Sequence, residues 1–341
     1  MKSKILITGS SGFIGKILAN KLKKNYDVYL IDKKRISTVQ KKFYQINLLE
    51  ISDLKDFFSK NKIDLIIHLA SEIFDDDDNV YNHNIQTSKN LISLAKKFNV
   101  KNFIFTSTFS IYEKNYNKPI KENEPPSASN SYGKSKYQIE RMLLKSKLKN
   151  FTILRVPIVV GKSRSHRMGI LFELIRNSLP IILINNGKNK IQYIAVDDLV
   201  KIIKKCINLN KRNLFNVGSK ISYTFKENLE FLIKKSGSKS KIYSVNYYFG
   251  SFLINILIFF RLIDINFYHK ALLTKNIMLN TDKINKKISL KLKNSSKDIL
   301  LESYIFYKKN FNKIQLIKSG SDKKPSLKIL NLLKFFSFLF R

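Results

Sequence analysis

The sequence is poor in cysteine, glycine, proline and histidine, and it has no tryptophan. Its 341 residues include one cysteine, 11 glycines, 6 prolines and four histidines. The single cysteine, Cys206, excludes a disulfide scaffold and a cysteine-based zinc site, and we predict that it is a buried apolar side chain. So few glycines and prolines exclude collagen-like and low-complexity chains. The histidines lack metal-ligand spacing, so no metal site is predicted.

Acidic residues are also scarce: 25 of them stand against 63 lysines and arginines, which gives a net charge of +38. A charge of this sign is typical of proteins that bind nucleic acid. The excess is nevertheless spread along the chain, without an arginine-rich arm, an RNA-binding aromatic strand or a helix-turn-helix pattern. We therefore predict no nucleic-acid partner. An anionic small molecule or an anionic membrane surface agrees with the charge equally well.

Apolar residues are frequent enough for a sizeable core, since they make up 44% of the chain. That fraction excludes global disorder, and the length indicates about two domains. The sequence runs directly into Ile5-Leu6-Ile7 without the pattern of a secretory signal. Together with the single cysteine, this predicts a cytoplasmic protein.

The first 32 residues combine a strand, a glycine-rich turn, a helix and a second strand that ends in an acid. The run Ile5-Leu6-Ile7 precedes Gly9, Gly12 and Gly15, and the run Val28-Tyr29-Leu30-Ile31 precedes Asp32. Glycines allow a tight turn and bring backbone N–H groups close to a pyrophosphate at a helix N-terminus. An acid about 20 residues further on can accept hydrogen bonds from ribose hydroxyls. The pattern predicts a dinucleotide-binding site.

The same acid bears on the choice of dinucleotide. Asp32 favours NAD, because a carboxylate repels the 2′-phosphate of NADP. Lys33, Lys34 and Arg35 follow directly, and their positive charge is of the kind that holds such a phosphate. NAD is therefore the predicted cofactor, and NADP is not excluded.

A second motif, Tyr132-Gly133-Lys134-Ser135-Lys136, opens a predicted helix after a strand that ends in Thr106-Ser107-Thr108. Tyr132 and Lys136 are four residues apart and therefore share one face of that helix. A cation beside a phenol lowers its pKa, so the tyrosine can act as a general acid or base toward an alcohol or ketone. Lys136 can also hold the nicotinamide ribose, and Thr108 can hydrogen-bond the same substrate oxygen.

In combination, these motifs resemble an extended short-chain dehydrogenase/reductase of the NAD-dependent epimerase/dehydratase family. His68-Leu69-Ala70, Leu154-Arg155 to Gly161 and Val196-Asp197-Asp198-Leu199 add to the resemblance, which spans about residues 4–300. It implies that Tyr132, Lys136 and Thr108 are catalytic. The cofactor site that it implies consists of Gly9, Ser11, Gly12, Phe13, Ile14, Gly15, Asp32, Asn47, Leu48, Leu69, Ala70, Ser71, Asn84, Thr106, Tyr132, Lys136 and Pro157. The candidates for binding substrate are Ser107, Thr108, Lys162, Arg167 and Lys190.

The resemblance also implies the fold and the partners. We expect an α/β protein, with a Rossmann doubly wound parallel sheet and a smaller C-terminal substrate domain. The expected units are an NAD(P)-binding domain in residues 1–160, to which later segments can return, and a mainly nucleotide-sugar-binding domain in residues 161–318. The substrate is expected to be UDP-linked, and a homodimer is expected to form through helices near residues 84–97 and 132–147.

Two apolar segments raise the question of membrane contact. Residues 247–260 fall short of the roughly 20 residues that span a bilayer, so we predict a packed helix there. Residues 319–341 read as a linker and a basic amphipathic tail. For that tail, peripheral contact with the inner face of the plasma membrane and docking on the protein itself both stay open.

The reaction has to be argued from the site rather than from the fold. The family's 4,6-dehydratases carry Asp-Glu directly after the catalytic threonine, whereas this sequence has Phe109 and Ser110, which argues against dehydration. Ile158 replaces the asparagine that is usual in UDP-galactose-type epimerases, and the strand around Arg155 resembles a ketoreductase subgroup.

We therefore favour 4-ketoreduction of a UDP-4-keto-6-deoxy-N-acetylhexosamine in the synthesis of surface polysaccharide precursors. One alternative is a UDP-sugar 4-epimerase with tightly bound NAD. Another is a non-catalytic protein that senses NAD(P) or acts as a scaffold, although the sequence retains both Tyr132 and Lys136.

Overall fold

Strands and helices alternate through most of the chain. The computed structural model describes residues 2–34, 42–73, 78–161, 168–259, 275–290, 292 and 295–310. The strands are β1 (Lys4–Thr8), β2 (Asp27–Asp32), β3 (Phe43–Gln45), β4 (Leu65–His68), β5 (Asn102–Thr108), β6 (Phe151–Val156), β7 (Ile158–Val160), β8 (Ile181–Ile184), β9 (Tyr193–Ala195), β10 (Arg212–Asn216) and β11 (Ile242–Val245). The helices are α1 (Phe13–Leu22), α2 (Ile51–Lys60), α3 (Asp78–Lys97), α4 (Ser131–Lys145), α5 (Gly169–Arg176), α6 (Val196–Cys206), α7 (Phe225–Ser236), α8 (Tyr247–Phe259), α9 (Asp282–Ile288) and α10 (Ser296–Lys309).

The largest sheet has seven parallel strands in the order β10-β6-β5-β4-β1-β2-β3. This confirms the predicted α/β Rossmann class. The order of winding reverses between β1 and β4, and ligands of such sheets bind in the crevice outside the carboxyl ends of the strands at that point. β10 pairs with β6 at one edge, so a segment beyond residue 160 joins this sheet.

Both faces of this sheet are covered, which explains the continuous apolar runs of its strands. Leu6 packs in a cluster with side chains of α2, α3 and α4. Its neighbours Ile5 and Ile7 point to the opposite face and pack in a second cluster with side chains of α1, α6 and α9. Successive residues of a strand alternate between faces, so one apolar run supplies both clusters. Cys206 is fully buried in the second of them, as predicted.

The C-terminal part is built from smaller elements. β7 pairs with β9, and β8 pairs with β11, in two parallel two-stranded sheets. A core of Phe172, Leu183, Leu229 and Tyr304 connects β8 to α5, α7 and α10. The helix predicted near residues 247–260 is present as α8, and it follows β11 directly.

Some of the predictions fall outside the described residues. These are the substrate candidates Lys162 and Arg167, and the predicted linker and tail at 319–341. In the part of the chain that the structure describes, no helix is both long enough and apolar enough to cross a membrane.

Candidate active site

The glycine-rich turn after β1 lies directly against the loop after β4. Gly9 has a positive φ of 68°, and a Cβ atom there would come within 2.6 Å of the Ala70 backbone nitrogen. The next glycine, Gly12, is the N-cap of α1 and offers no side chain to cap it. The turn therefore leaves a helix N-terminus beside a backbone cradle, where the pyrophosphate of a dinucleotide fits.

The Asp32 carboxylate lies at the end of β2 and holds the same turn. One of its oxygens accepts a hydrogen bond from the Ser11 backbone at 2.9 Å, and the other accepts one from the Lys34 backbone at 3.0 Å. The Ser11 hydroxyl in turn donates to the Lys34 carbonyl at 2.7 Å. Each carboxylate oxygen has a second lone pair, so Asp32 can still accept from a ribose hydroxyl.

The basic residues after Asp32 are only partly described. The Lys33 ammonium forms an ion pair with the Glu72 carboxylate, so its charge is matched within the chain. Arg35 lies outside the described residues. Among the described residues, this arrangement favours the ribose hydroxyls of NAD over an added 2′-phosphate near Asp32.

The loop after β4 is tied to two helices by Asn84. The Asn84 side-chain oxygen accepts from the Glu72 backbone at 2.8 Å and from the Ser71 hydroxyl at 3.2 Å. Its amide nitrogen donates to the Glu72 carbonyl at 3.0 Å and to the Ser135 hydroxyl at 3.2 Å. Asn84 therefore fixes the loop of Leu69, Ala70 and Ser71 against α4, and it is positioned to act on a cofactor through that loop.

The other predicted cofactor residues surround the same crevice. The Phe13 ring lies close enough to Gly161 that a Cβ atom there would come within 3.0 Å of it. Pro157 is buried just after β6, and Ile14 is half-buried in the first turn of α1. Asn47 and Leu48 follow β3, and the Asn47 side-chain oxygen accepts from the Leu49 backbone at 3.2 Å. β3 itself ends at Gln45, two residues before Asn47.

Tyr132 and Lys136 lie together on the first turns of α4. The Lys136 nitrogen is 5.7 Å from the centroid of the Tyr132 ring and 4.6 Å from that of Phe105. It donates a hydrogen bond of 2.9 Å to the Thr106 carbonyl at the end of β5. Burial lowers the pKa of Lys136 to about 7, against the opposing effect of Glu140. The structure thus brings the predicted catalytic pair together at the carboxyl end of the sheet.

Thr108 completes this group from the neighbouring strand. Its side-chain oxygen accepts from the Ser110 backbone at 3.1 Å, so its own hydrogen can be donated to a ligand. Gly133 lets α4 approach this turn, because a Cβ atom there would lie 2.3 Å from the Ser110 carbonyl oxygen. A larger residue would therefore push Tyr132 away from Thr108.

Two further hydroxyls lie buried in the same place. The Ser107 and Ser110 side-chain oxygens have no hydrogen-bond partner among the described residues. Buried hydroxyls without a partner are unfavourable, so these two mark the turn after β5 as a candidate place for a ligand. Ser107 was predicted to bind substrate, whereas Ser110 was considered only as a poor acid. Phe109, between them in sequence, packs into an apolar cluster with Ile111 and Tyr112.

His68, at the end of β4, is buried, and its imidazole is neutral. Burial, and then the charge of Lys136, lower the pKa of His68 to about 3. Its two ring nitrogens contact the Thr8 hydroxyl at 2.7 Å and the Ser88 hydroxyl at 3.0 Å. Ser88 donates to the Asn84 carbonyl, so it accepts from His68 Nε2, and Thr8 donates to Nδ1.

Two buried carboxylates support this site, and sequence reasoning missed both. Glu140 on α4 is fully buried and receives three hydrogen bonds from Arg155, between 2.7 and 3.2 Å long. Glu113 accepts hydrogen bonds from Ser129 and from both the backbone and the side chain of Asn130. The Asn130 side chain caps α4 by accepting from the Gly133 backbone at 2.7 Å. An asparagine just before a predicted helix was a detectable cap signal, but its carboxylate partner was not.

The predicted substrate residues are less complete. Lys190 is exposed, and its backbone nitrogen donates to the Asn276 side chain at 2.8 Å. Hydrogen bonds from Thr224 are the main cause that lowers the pKa of the Glu227 carboxyl, and the charge of Lys190 adds to that effect. Lys162 and Arg167 lie outside the described residues. Of the three basic residues predicted to bind substrate, the structure therefore describes only Lys190. Within the described residues, no group of three or more metal-ligating side chains comes together.

A family model matches residues 5–218, a span that runs from β1 to β10 and includes Asp32, Thr108, Tyr132 and Lys136. It describes the NAD dependent epimerase/dehydratase family. The chain belongs to this family. It is therefore an enzyme of the extended short-chain dehydrogenase/reductase type, and NAD is its cofactor. The cradle at Gly9 and the Asp32 carboxylate agree with that cofactor.

The individual relatives have low sequence identity to this chain. A UDP-glucose 4-epimerase of Caenorhabditis elegans is 28% identical over 290 residues, covering 68% of this chain and 83% of the relative. Among solved structures, UDP-glucose 4-epimerase of Thermotoga maritima with UDP-glucose has a TM-score of 0.74 at 22% identity, covering 90% and 99% of the two chains. The Bordetella bronchiseptica enzyme WbmG with NAD and UDP has a TM-score of 0.72 at 19% identity, covering 89% and 94%. These structures establish the shared fold.

Proposed function

We propose that this enzyme moves a hydride at C4 of a UDP-linked sugar, and that it is a 4-epimerase. The observation that carries the reaction type is the placement of the Lys136 nitrogen 5.7 Å from the Tyr132 ring and 2.9 Å from the Thr106 carbonyl, on the strand that ends at Thr108. When bound, NAD supplies the acceptor and donor of that hydride.

The proton is handled by the chain's own residues. Tyr132 takes the proton of the C4 hydroxyl as the C4 hydride leaves, and returns it when the ketone is reduced. The Lys136 ammonium favours the phenolate form of Tyr132 by its charge. Thr108 donates a hydrogen bond to the C4 oxygen and orients it. Epimerisation results when the ketone turns over within the site before the hydride returns to its other face, so no cofactor is consumed.

Dehydration is not supported by the residues that follow Thr108. Phe109 is buried within an apolar cluster, and Ser110 carries an alcohol in place of an acid. In a 4,6-dehydration the hydroxyl at C6 leaves and needs a proton donor, and neither residue is a suitable acid.

Ketoreduction, which the sequence favoured, is the second candidate. It uses the same Tyr132, Lys136 and Thr108, and Ile158 still stands where UDP-galactose-type epimerases usually have asparagine. The strand motif that supported it carries less weight, because Arg155 is committed to Glu140 rather than to a ligand. The epimerases named above match most of the chain, which favours epimerisation.

The deciding experiment follows sugars and cofactor together. The purified enzyme is incubated with UDP-glucose or UDP-N-acetylglucosamine without added cofactor, and separately with NADH or NADPH and a UDP-4-keto-6-deoxy-N-acetylhexosamine. We expect a 4-epimeric UDP-sugar in the first reaction without net cofactor use. Stoichiometric loss of reduced-nicotinamide absorbance in the second, with no epimer in the first, would establish the ketoreductase instead.

The assembly and location that we propose follow the sequence. α3 and α4 pack against each other within the chain, and we propose that their outer faces form the homodimer. We also propose that the enzyme works in the cytoplasm on precursors of surface polysaccharide. Light scattering of the purified protein tests the dimer.

A further inference from the structure

An exposed aromatic face covers one side of α8 and the strands before it. Tyr248, Phe252 and Phe259 are 85%, 59% and 80% exposed. Their spacing of four and seven residues places all three on one stripe of the helix. The 13 residues of α8 include no charged side chain. A stripe of large exposed apolar side chains on a helix without charge marks a surface that contacts something besides water.

The opposite side of α8 is anchored to the protein. A Cβ atom at Gly250 would lie 2.8 Å from Ile184 and 3.0 Å from Val245, so the helix packs closely on the ends of β8 and β11. Ile254, one turn further along, is buried. The aromatic stripe is therefore held in a fixed orientation on the folded domain, pointing away from the core.

The exposed surface continues onto the two-stranded sheet. Ile182 and Tyr243 are partners across β8 and β11, and they are 56% and 52% exposed. Ile182 and Ile184 are two residues apart in β8, as are Tyr243 and Val245 in β11, so the members of each pair lie on the same face of the sheet. Ile182 and Tyr243 therefore point to the face that α8 partly covers. The exposed stripe of Tyr248, Phe252 and Phe259, together with the exposed pair of Ile182 and Tyr243 on the sheet that carries α8, is here called the aromatic face.

The segments that form the aromatic face carry only positive charge. Residues 177–195 and 231–259, which supply both strands and the helix, contain no aspartate or glutamate. Lys188, Lys239 and Lys241 lie exposed beside β8 and β11. An aromatic surface with basic neighbours, formed by segments that contain no acid, is complementary to a layer whose head groups are negative and whose interior is apolar.

We infer that the aromatic face binds the interfacial region of an anionic phospholipid membrane. α8 has 13 residues and extends about 20 Å, less than the roughly 30 Å of a hydrocarbon core, so it lies along the surface. Tyrosine and phenylalanine suit this depth, because aromatic rings concentrate at the head-group level. A second copy is less suitable, because an isologous contact would set the basic neighbours of the two copies against each other.

This inference does not depend on the proposed reaction. The test uses the full chain and vesicles of phosphatidylcholine, either pure or with about one-third phosphatidylglycerol. Tyr248→Ser/Phe252→Ser removes two exposed rings of the aromatic face. The matched control, Ile221→Ser/Ile305→Ser, removes two exposed apolar side chains elsewhere, which are 49% and 56% exposed.

We expect the wild type to bind the anionic vesicles, to bind the neutral ones less, and to be released by salt. The double variant in the aromatic face should lower the partition coefficient on the order of tenfold, and the control should leave it unchanged. Circular dichroism checks that each variant is folded. A wild type that fails to bind, or a double variant that binds as well as the wild type, would overturn the inference.

A charge series tests the basic neighbours separately. Lys239→Glu/Lys241→Glu should reduce binding to anionic vesicles on the order of tenfold, and Lys23→Glu/Lys24→Glu at the exposed end of α1 should not. If the aromatic variant instead converts an oligomer to monomer in light scattering while vesicle binding persists, the face binds a second copy and the membrane assignment is wrong.

Discussion

The seven-stranded sheet and the small sheet of β8 and β11 with α8 differ in how far their charged and aromatic side chains are exposed. Around the seven-stranded sheet, charged groups such as Lys136, Glu140 and Arg155 are buried, and so are the rings of Phe103 and Phe105. Around β8, β11 and α8, lysines and aromatic rings are both exposed. The sheet has helices on both faces, so its side chains meet protein on every side, whereas a two-stranded sheet partly covered by one helix leaves a face to be used for contact.

The largest effect is expected from a substitution at Tyr132, because the catalytic residues lie in the first half of the chain. We expect Tyr132→Phe to lower turnover on the order of 10³-fold, since the phenol transfers the proton and its ring is kept. Turnover is measured with UDP-sugars, and thermal unfolding serves as the control for folding. Turnover close to that of the wild type would show that this half senses NAD or serves as a scaffold rather than catalyses.

The next largest effect should come from the buried ion pair. Arg155→Met leaves Glu140 buried without its partner, so we expect the free energy of unfolding to fall by about 3–5 kcal/mol. Urea denaturation measures the loss. The matched control in the second half is Arg176→Met, because Arg176 pairs with Glu173 but is 30% exposed. Water can reach that pair, and a smaller loss is expected there; equal losses would remove the contrast between the halves.

His68, in the first half of the chain, should make the free energy of unfolding depend on pH. Its pKa is about 3 in the folded protein, below the ordinary 6.5, so between these values only the unfolded chain takes up the proton. The free energy of unfolding should therefore fall as pH falls from 6.5 toward 3, by about 1.4 kcal/mol per pH unit from this group.

His68→Gln removes that titrating group, so its stability should depend less on pH in this range. Urea denaturation of wild type and variant at several pH values gives the difference in slope. Equal slopes for the two proteins would contradict the assignment of His68 as a buried neutral group.

The smallest effect is expected on the aromatic face. Phe252→Ser should change the free energy of unfolding by less than about 0.5 kcal/mol, because the ring is already 59% exposed. Phe172→Ala, in the buried core of the same half, should cost about 3–5 kcal/mol. A large loss for Phe252→Ser would mean that the face is packed within the protein rather than kept for contact.

Much of the first half was predictable because its signals are local. Each motif is short: the glycine turn spans Gly9–Gly15, Asp32 ends one strand, and Tyr132 and Lys136 are four residues apart. Their roles depend on local backbone geometry, which such short spacings indicate directly. The roles of Glu113, Glu140 and Arg155 were not predictable. They depend on partners 15 or more residues away, which a single sequence does not reveal.

The packed helix predicted at residues 247–260 shows the same limit. The sequence indicated a helix, and α8 is present, but its apolar side chains surround the helix without a clear stripe. Only contacts with Ile184 and Val245 decide which side is inside. The exposed stripe of Tyr248, Phe252 and Phe259 follows from that choice.

By itself, the sequence determined the Rossmann class, the family and the residues of the predicted catalytic pair, because short motifs and apolar runs encode turns, strands and helix faces directly. The tertiary structure decided which charges are buried and paired, which hydroxyls at the site lack a partner, and which rings face outward. Those properties arise where distant segments meet, and the free energy of a buried or exposed group depends on neighbours that its own segment does not specify.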